Sequence, residues 1–174
     1  RGNGESILVE AENKHWIVVD SFINPISKEP AALTYLRELG LDPSEVLKTI
    51  IITHFHEDHI RGMTEIIQKA HPKASICLPD ALTTCEALSY YVALDVLNGY
   101  DSISKVKEMI SVLEYLDKNQ RYPIRINQNK LIFENNNHVI TALSPSDYDS
   151  YLANKKFMAE VANTPKCFFS ASKE

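Results

Sequence analysis

An α/β layered protein is predicted, and three observations carry that expectation. Short β-branched runs alternate with stretches of helical periodicity through the first half of the chain, and turn-forming residues separate them. An apolar share of 44% and a charged share of 24% describe an ordinary globular protein. At 174 residues the chain has a one-domain length with enough material to bury a core.

Ser6 to Glu10 and His15 to Asp20 read as strands joined by the polar turn Glu12-Asn13-Lys14. A helix is predicted over Pro30 to Leu39. Pro30 suits a first helical turn and Gly40 a C-terminal cap, while Leu33, Leu36 and Leu39 form the apolar stripe. Leu41-Asp42-Pro43 reads as a loop into a buried strand, Thr49 to Ile52, which ends at Thr53. The next helix should run from about His59 to Ala70, with Ile60, Met63, Ile66 and Ile67 facing inward and Pro72 stopping it. Ala74 to Leu78 is a further strand, and Asp80 caps a helix through Asp95. Asn98-Gly99-Tyr100-Asp101 signals a turn. Ser102 then caps a helix on which Val106, Met109, Ile110, Leu113 and Leu116 recur. Ile124 to Ile126, Lys130 to Glu134 and Val139 to Leu143 are the last strands, the final two joined by Asn135-Asn136-Asn137. Residues 148 to 162 read as helical.

The net charge of −5 excludes a global basic field that would draw the protein onto nucleic acid. A local patch from Lys105, Lys107, Lys118, Arg121, Arg125 and Lys130 competes with the simpler reading of solvated surface charges. Cys77, Cys85 and Cys167 are odd in number and lack metal-type spacing, so no disulfide framework is expected and a cytoplasmic setting is. No signal peptide or membrane-length apolar run is found.

The stretch from Thr53 to His59 carries the chemistry. His54, His56 and His59 fall within six residues together with Glu57 and Asp58, at the carboxyl end of an apolar strand. Imidazole nitrogen and carboxylate oxygen are donors that zinc prefers. A strand-to-helix turn aims His54, His56, Asp58 and His59 in different directions, so they can surround one or two cations. One or two histidines in a polar turn are commonly packing residues; three with an aspartate are not.

The pattern His-x-His-x-Asp-His, here His54, His56, Asp58 and His59, resembles the signature of the metallo-β-lactamase superfamily. Thr53 before it and Gly62 after it fit as well. Gly4-Glu5-Ser6-Ile7-Leu8-Val9 followed by Trp16-Ile17-Val18-Val19-Asp20 resembles that fold's opening hairpin. Gly4-Glu5-Ser6 and the form His56 to Gly62 are nearest the branch related to DNA-uptake and phage-defence nucleases. The resemblance implies an αβ/βα sandwich, mainly its first half, as one domain over residues 1–174 with a helical insertion at about 80–120. It assigns His54 and His56 to one metal, and Asp58 and His59 to a second. Asp58 is also the residue expected to take part in catalysis. Asp20 and Thr53 would support the site without touching the metal. Two zinc ions are expected in the complete protein, with manganese as the other candidate.

The family's later histidine, bridging aspartate and final histidine have no counterpart here, because His15, His71 and His138 are wrongly placed. Either the chain continues in the native protein, as its start at Arg1 also suggests, or it is a degenerate member. The expected function is metal-dependent hydrolysis of phosphodiester bonds in nucleic acid or a nucleotide, through metal-activated hydroxide. Two other readings compete with it. One is a small-molecule hydrolase acting on a lactone, thioester or β-lactam. The other is a non-catalytic protein partner in a larger defence complex. No membrane partner is expected.

Overall fold

The β-branched runs pair as their alternation predicts, in a computed structural model that describes residues 4–12, 14–80 and 100–163. β1 (Ile7–Ala11) and β2 (His15–Val19) form an antiparallel hairpin, with Ile7 opposite Val19. β3 (Leu47–Ile51) joins β2 in parallel, β4 (Ser75–Pro79) joins β3, and β5 (Ile124–Ile126) joins β4. The five-stranded sheet therefore runs β1-β2-β3-β4-β5. Parallel neighbours need crossovers, and helices supply them. α1 (Ala31–Glu38) and α2 (Pro43–Val46) lie between β2 and β3. α3 (Glu57–Ile60) and α4 (Met63–Lys69) lie between β3 and β4, and α5 (Tyr100–Lys118) precedes β5. β6 (Leu131–Glu134) and β7 (Val139–Thr141) make a separate antiparallel pair, and α6 (Asp147–Asn163) follows.

Side chains alternate across a strand, so the sheet builds a core on each face. On one face Trp16, Val18, Ile50, Ile76 and Leu78 pack against Leu33, Leu36, Ile60, Met63, Ile66, Ile67, Met109, Val112 and Leu116 from the helices. On the other, Ile17, Ile51, Cys77 and Ile126 meet Ala142, with Ile132, Phe133 and Ile140 of the second hairpin packed alongside. A sheet covered on both faces explains why the end of β3 runs into the unbroken apolar stretch Ile50-Ile51-Ile52. Cys77 is the small buried hydrophobe expected of it, and burial pushes its thiol up to about 11. None of the described helices is long and apolar enough to cross a membrane.

The structure corrects several boundaries. The single helix expected from His59 to Ala70 is two, Glu57–Ile60 and Met63–Lys69. Gly62 between them has φ +82°, and a Cβ there would lie 2.5 Å from Ile23 Cδ1. Residues Pro43–Val46, expected as loop, form one helical turn. Pro43 occupies a first-turn position and the Asp42 carboxylate accepts from Ser44 N at 2.8 Å. Tyr100 and Asp101, expected in a turn, and Ser102, expected as a cap, are already helical in α5. Its Met109, Val112 and Leu116 belong to the main core, so this part of the expected insertion is a packing layer. Beyond Asp80, the helix expected through Asp95, together with Cys85 and Cys167, lies outside the described residues.

Candidate metal centre

Val19 and Ile51 are register partners at the ends of two parallel strands, so the chain leaves β2 and β3 side by side. Asp20 follows Val19 with φ +58° and donates its N–H to Ile51 O at 2.9 Å. That left-handed turn is tolerated by aspartate better than by most residues. Ser21, fully buried, gives its N–H to His59 O at 2.7 Å and its hydroxyl to Arg61 O at 2.7 Å. The opening segment straps the same loop. Glu5 N donates to Asp58 O at 3.2 Å and Ser6 Oγ to Asp20 O at 3.1 Å. Gly4 is required there, since a Cβ would come within 2.2 Å of Phe22 Cδ2.

Asp20, only 4% exposed, is the hub. Its Oδ1 accepts from Thr53 N at 2.8 Å, and its Oδ2 accepts from Thr53 Oγ1 at 2.6 Å. His59 Nδ1 lies 2.8 Å from the same Oδ2, and His54 Nδ1 lies 2.8 Å from Thr53 Oγ1. The His54 and His59 rings are 4.0 Å apart, and the His56 ring meets that of His54 edge-on at 4.7 Å. Asp58 Oδ2 stands 3.8 Å from His59 Nε2. Burial, then the neighbouring His59 and His56, hold His54 below the ordinary 6.5 against the opposing pull of Asp20 and Asp58. At neutral pH His54 is therefore an uncharged imidazole, the form that can bind a cation.

The structure thus brings His54, His56, Asp58 and His59 to one strand end, as their spacing predicts. Ligand-type atoms of Asp20, His54 and His59 also lie within 4.8 Å of one another. The two groupings differ in whether Asp20 is itself a donor to the cation. Its oxygens already accept from Thr53 N, Thr53 Oγ1 and His59, so the supporting role fits its contacts better. His56 and Asp58 are exposed at the rim. Glu57 is paired with Arg61. The remaining histidines are elsewhere. His15 packs on Phe133 at 4.4 Å and bonds Thr49 Oγ1 at 2.9 Å. His71 Nδ1 accepts from Lys73 N at 3.1 Å, and His138 is exposed in the hairpin turn. Ser21 escaped the sequence reading, because nothing local marks a serine whose partner is 40 residues away.

The sequence model described as "Metallo-beta-lactamase superfamily" matches residues 1–149. The chain belongs to the metallo-β-lactamase superfamily. Its mixed sheet with helices on one face and a β-hairpin on the other is that superfamily's fold. Among solved structures, this metallo-β-lactamase superfamily member is similar to hydrolase AbOPH in the β-lactamase superfamily. The identity is 19% and the TM-score 0.48, over 72% of this chain and 45% of that one. It is also similar to metallo-β-lactamase SMB-1 bound to 2-mercaptoethanesulfonate. There the identity is 24% and the TM-score 0.35, over 44% of this chain and 27% of that one. The matched part is less than half the length of either structure. No curated protein matches the chain.

Proposed function

We propose that this superfamily member is a metal-dependent hydrolase of phosphodiester bonds, acting on nucleic acid or a nucleotide. The observation that carries the metal part is the pair of imidazoles, His54 and His59, each with Nδ1 engaged and rings 4.0 Å apart. Three imidazoles and a carboxylate are a donor set that suits zinc, with manganese as the second candidate. His54 and His56 would hold one cation, Asp58 and His59 the other. When bound, such cations supply Lewis acidity toward the scissile group and water that ionises near neutral pH. Asp58, exposed and 3.8 Å from His59 Nε2, is the acidic member of the set, and its loss should abolish turnover. The Gly4-Glu5-Ser6 strap across the loop supports the nuclease-like reading, since that opening resembles the branch related to DNA-uptake and phage-defence nucleases.

One observation favours a small-molecule substrate instead. The net charge is −5, and two members of the candidate basic patch are engaged. Arg121 donates to Ala74 O at 2.7 Å, and Arg125 lies 3.6 Å from Asp80. The test assays cleavage of single- and double-stranded DNA, RNA and a bis-aryl phosphodiester, beside a lactone, a thioester and a β-lactam, with zinc or manganese. The sample is the full gene product and its Asp58→Ala variant. Phosphodiester turnover lost in Asp58→Ala is the expected result. Turnover of an acyl substrate alone moves the assignment to the small-molecule class. Inactivity on every substrate, with a tight protein partner recovered, favours a non-catalytic member of a complex.

A further inference from the structure

The protons around Asp20 can be followed one at a time. An ionised carboxylate only accepts hydrogen bonds, whereas a hydroxyl has one proton to give and lone pairs to receive with. Thr53 Oγ1 gives its proton to Asp20 Oδ2 at 2.6 Å. Toward its other neighbour, His54 Nδ1 at 2.8 Å, it can then act only as acceptor. In a neutral imidazole one nitrogen donates and the other accepts, so His54 carries its proton on Nδ1 and a lone pair on Nε2. His59 meets the same Oδ2 directly, at 2.8 Å through Nδ1, and reaches the same state.

We propose that Thr53 is a positioning residue that relays the Asp20 carboxylate to His54, so that one buried aspartate sets both ring tautomers before any cation arrives. The relay deepens the metal-site reading above and rests on it only for its effect on affinity; the tautomers themselves do not depend on a cation. Without the Thr53 hydroxyl, His59 would keep its direct partner and His54 would lose its own. Backbone placement would change little, because Thr53 N still donates to Asp20 Oδ1 at 2.8 Å.

The experiment uses metal-free protein labelled with 15N-histidine at pH 8, where long-range proton–nitrogen spectra report which ring nitrogen is protonated. Wild type should show the Nδ1–H form at both His54 and His59. Thr53→Val should move His54 toward the Nε2–H form and leave His59 unchanged, and Thr53→Ser should restore His54. Zinc affinity, measured by competition with a chromogenic chelator, should fall about 10–100-fold in Thr53→Val and recover in Thr53→Ser. An Nε2–H form of His54 in wild type, or no change in Thr53→Val, overturns the relay. Tautomers as expected but zinc bound by none of the proteins would uphold the relay and remove the metal-site reading instead.

Discussion

Asp20 meets two demands, and substitutions separate them. Its backbone sits at φ +58° and its carboxylate serves Thr53 N, Thr53 Oγ1 and His59 Nδ1. Asp20→Ala fails both. It loses the carboxylate that makes left-handed backbone easier for aspartate and removes the acceptor of part-buried donors, a loss of about 1–3 kcal/mol. A loss of about that size is expected in a urea titration. Asp20→Asn suits the backbone and can still accept from Thr53 N, but turns an NH2 toward Thr53 Oγ1 and His59. It should cost less stability than Ala while lowering zinc affinity as much. Equal effects of the two variants on both readings would refute the division of roles. The histidine cluster was legible in the sequence because its members are contiguous. Asp20 was legible only as a strand end and through the family resemblance. The fully buried Ser21 left no local trace.

Among the elements, the strands were easiest to read, since a sheet covered on both faces selects β-branched runs such as Thr49 to Ile52. The interruption between α3 and α4 was not. Ile60, Met63, Ile66 and Ile67 keep helical spacing across it and are all at most 1% exposed, so periodicity passes through the break unaltered. Only the left-handed Gly62 marks it, and a glycine inside a helical pattern is ambiguous. α2 was overlooked because four residues carry no periodicity, although its aspartate cap and proline were present. Gly62 turns the chain between α3 and α4 against Ile23 and Pro30, and Gly62→Ala tests that. Alanine there combines left-handed backbone with approaches of 2.5 Å to Ile23 Cδ1 and 3.0 Å to Pro30 Cγ. Backbone and packing together should destabilise the protein by about 2–4 kcal/mol in the same titration. A variant as stable as wild type would mean that the break is not enforced by glycine.

At the scale of the whole molecule, a cation that binds only the folded chain stabilises it by mass action. At 100 times Kd the gain is about 2.7 kcal/mol. One kcal/mol moves Tm by about 2–4 °C at this size, so zinc should raise Tm by about 5–11 °C and a chelator should reverse the rise. Trp16, the single tryptophan and 6% exposed, reports the transition from within the main core. Acid should weaken the fold through His54 and His15. Both are held below the ordinary 6.5 mainly by burial, His54 further by His59 and His56 and His15 by Lys48. Between each lowered value and 6.5 the unfolded chain binds more protons, so stability is full above 6.5 and lost as pH falls through the folded values. The zinc shift should fade over the same window, because ligand imidazoles must be unprotonated. A Tm indifferent to zinc at pH 7.5 would argue against the site.

The span of the contacts adds a consequence for the order of assembly. The bonds that build the site join residues 33, 39 and 40 apart, whereas the tie from Asn137 to Glu12 bridges 125. Closing a longer loop costs more chain entropy. The histidine cluster is therefore expected to assemble in an earlier cooperative unit of β1, β2, α1, β3 and α3, and the second hairpin in a later one, an order that hydrogen-exchange protection would check. Opening of that hairpin need not dismantle the ligands. The fold can breathe on the sheet's other face while the chemistry at the strand tips stays assembled.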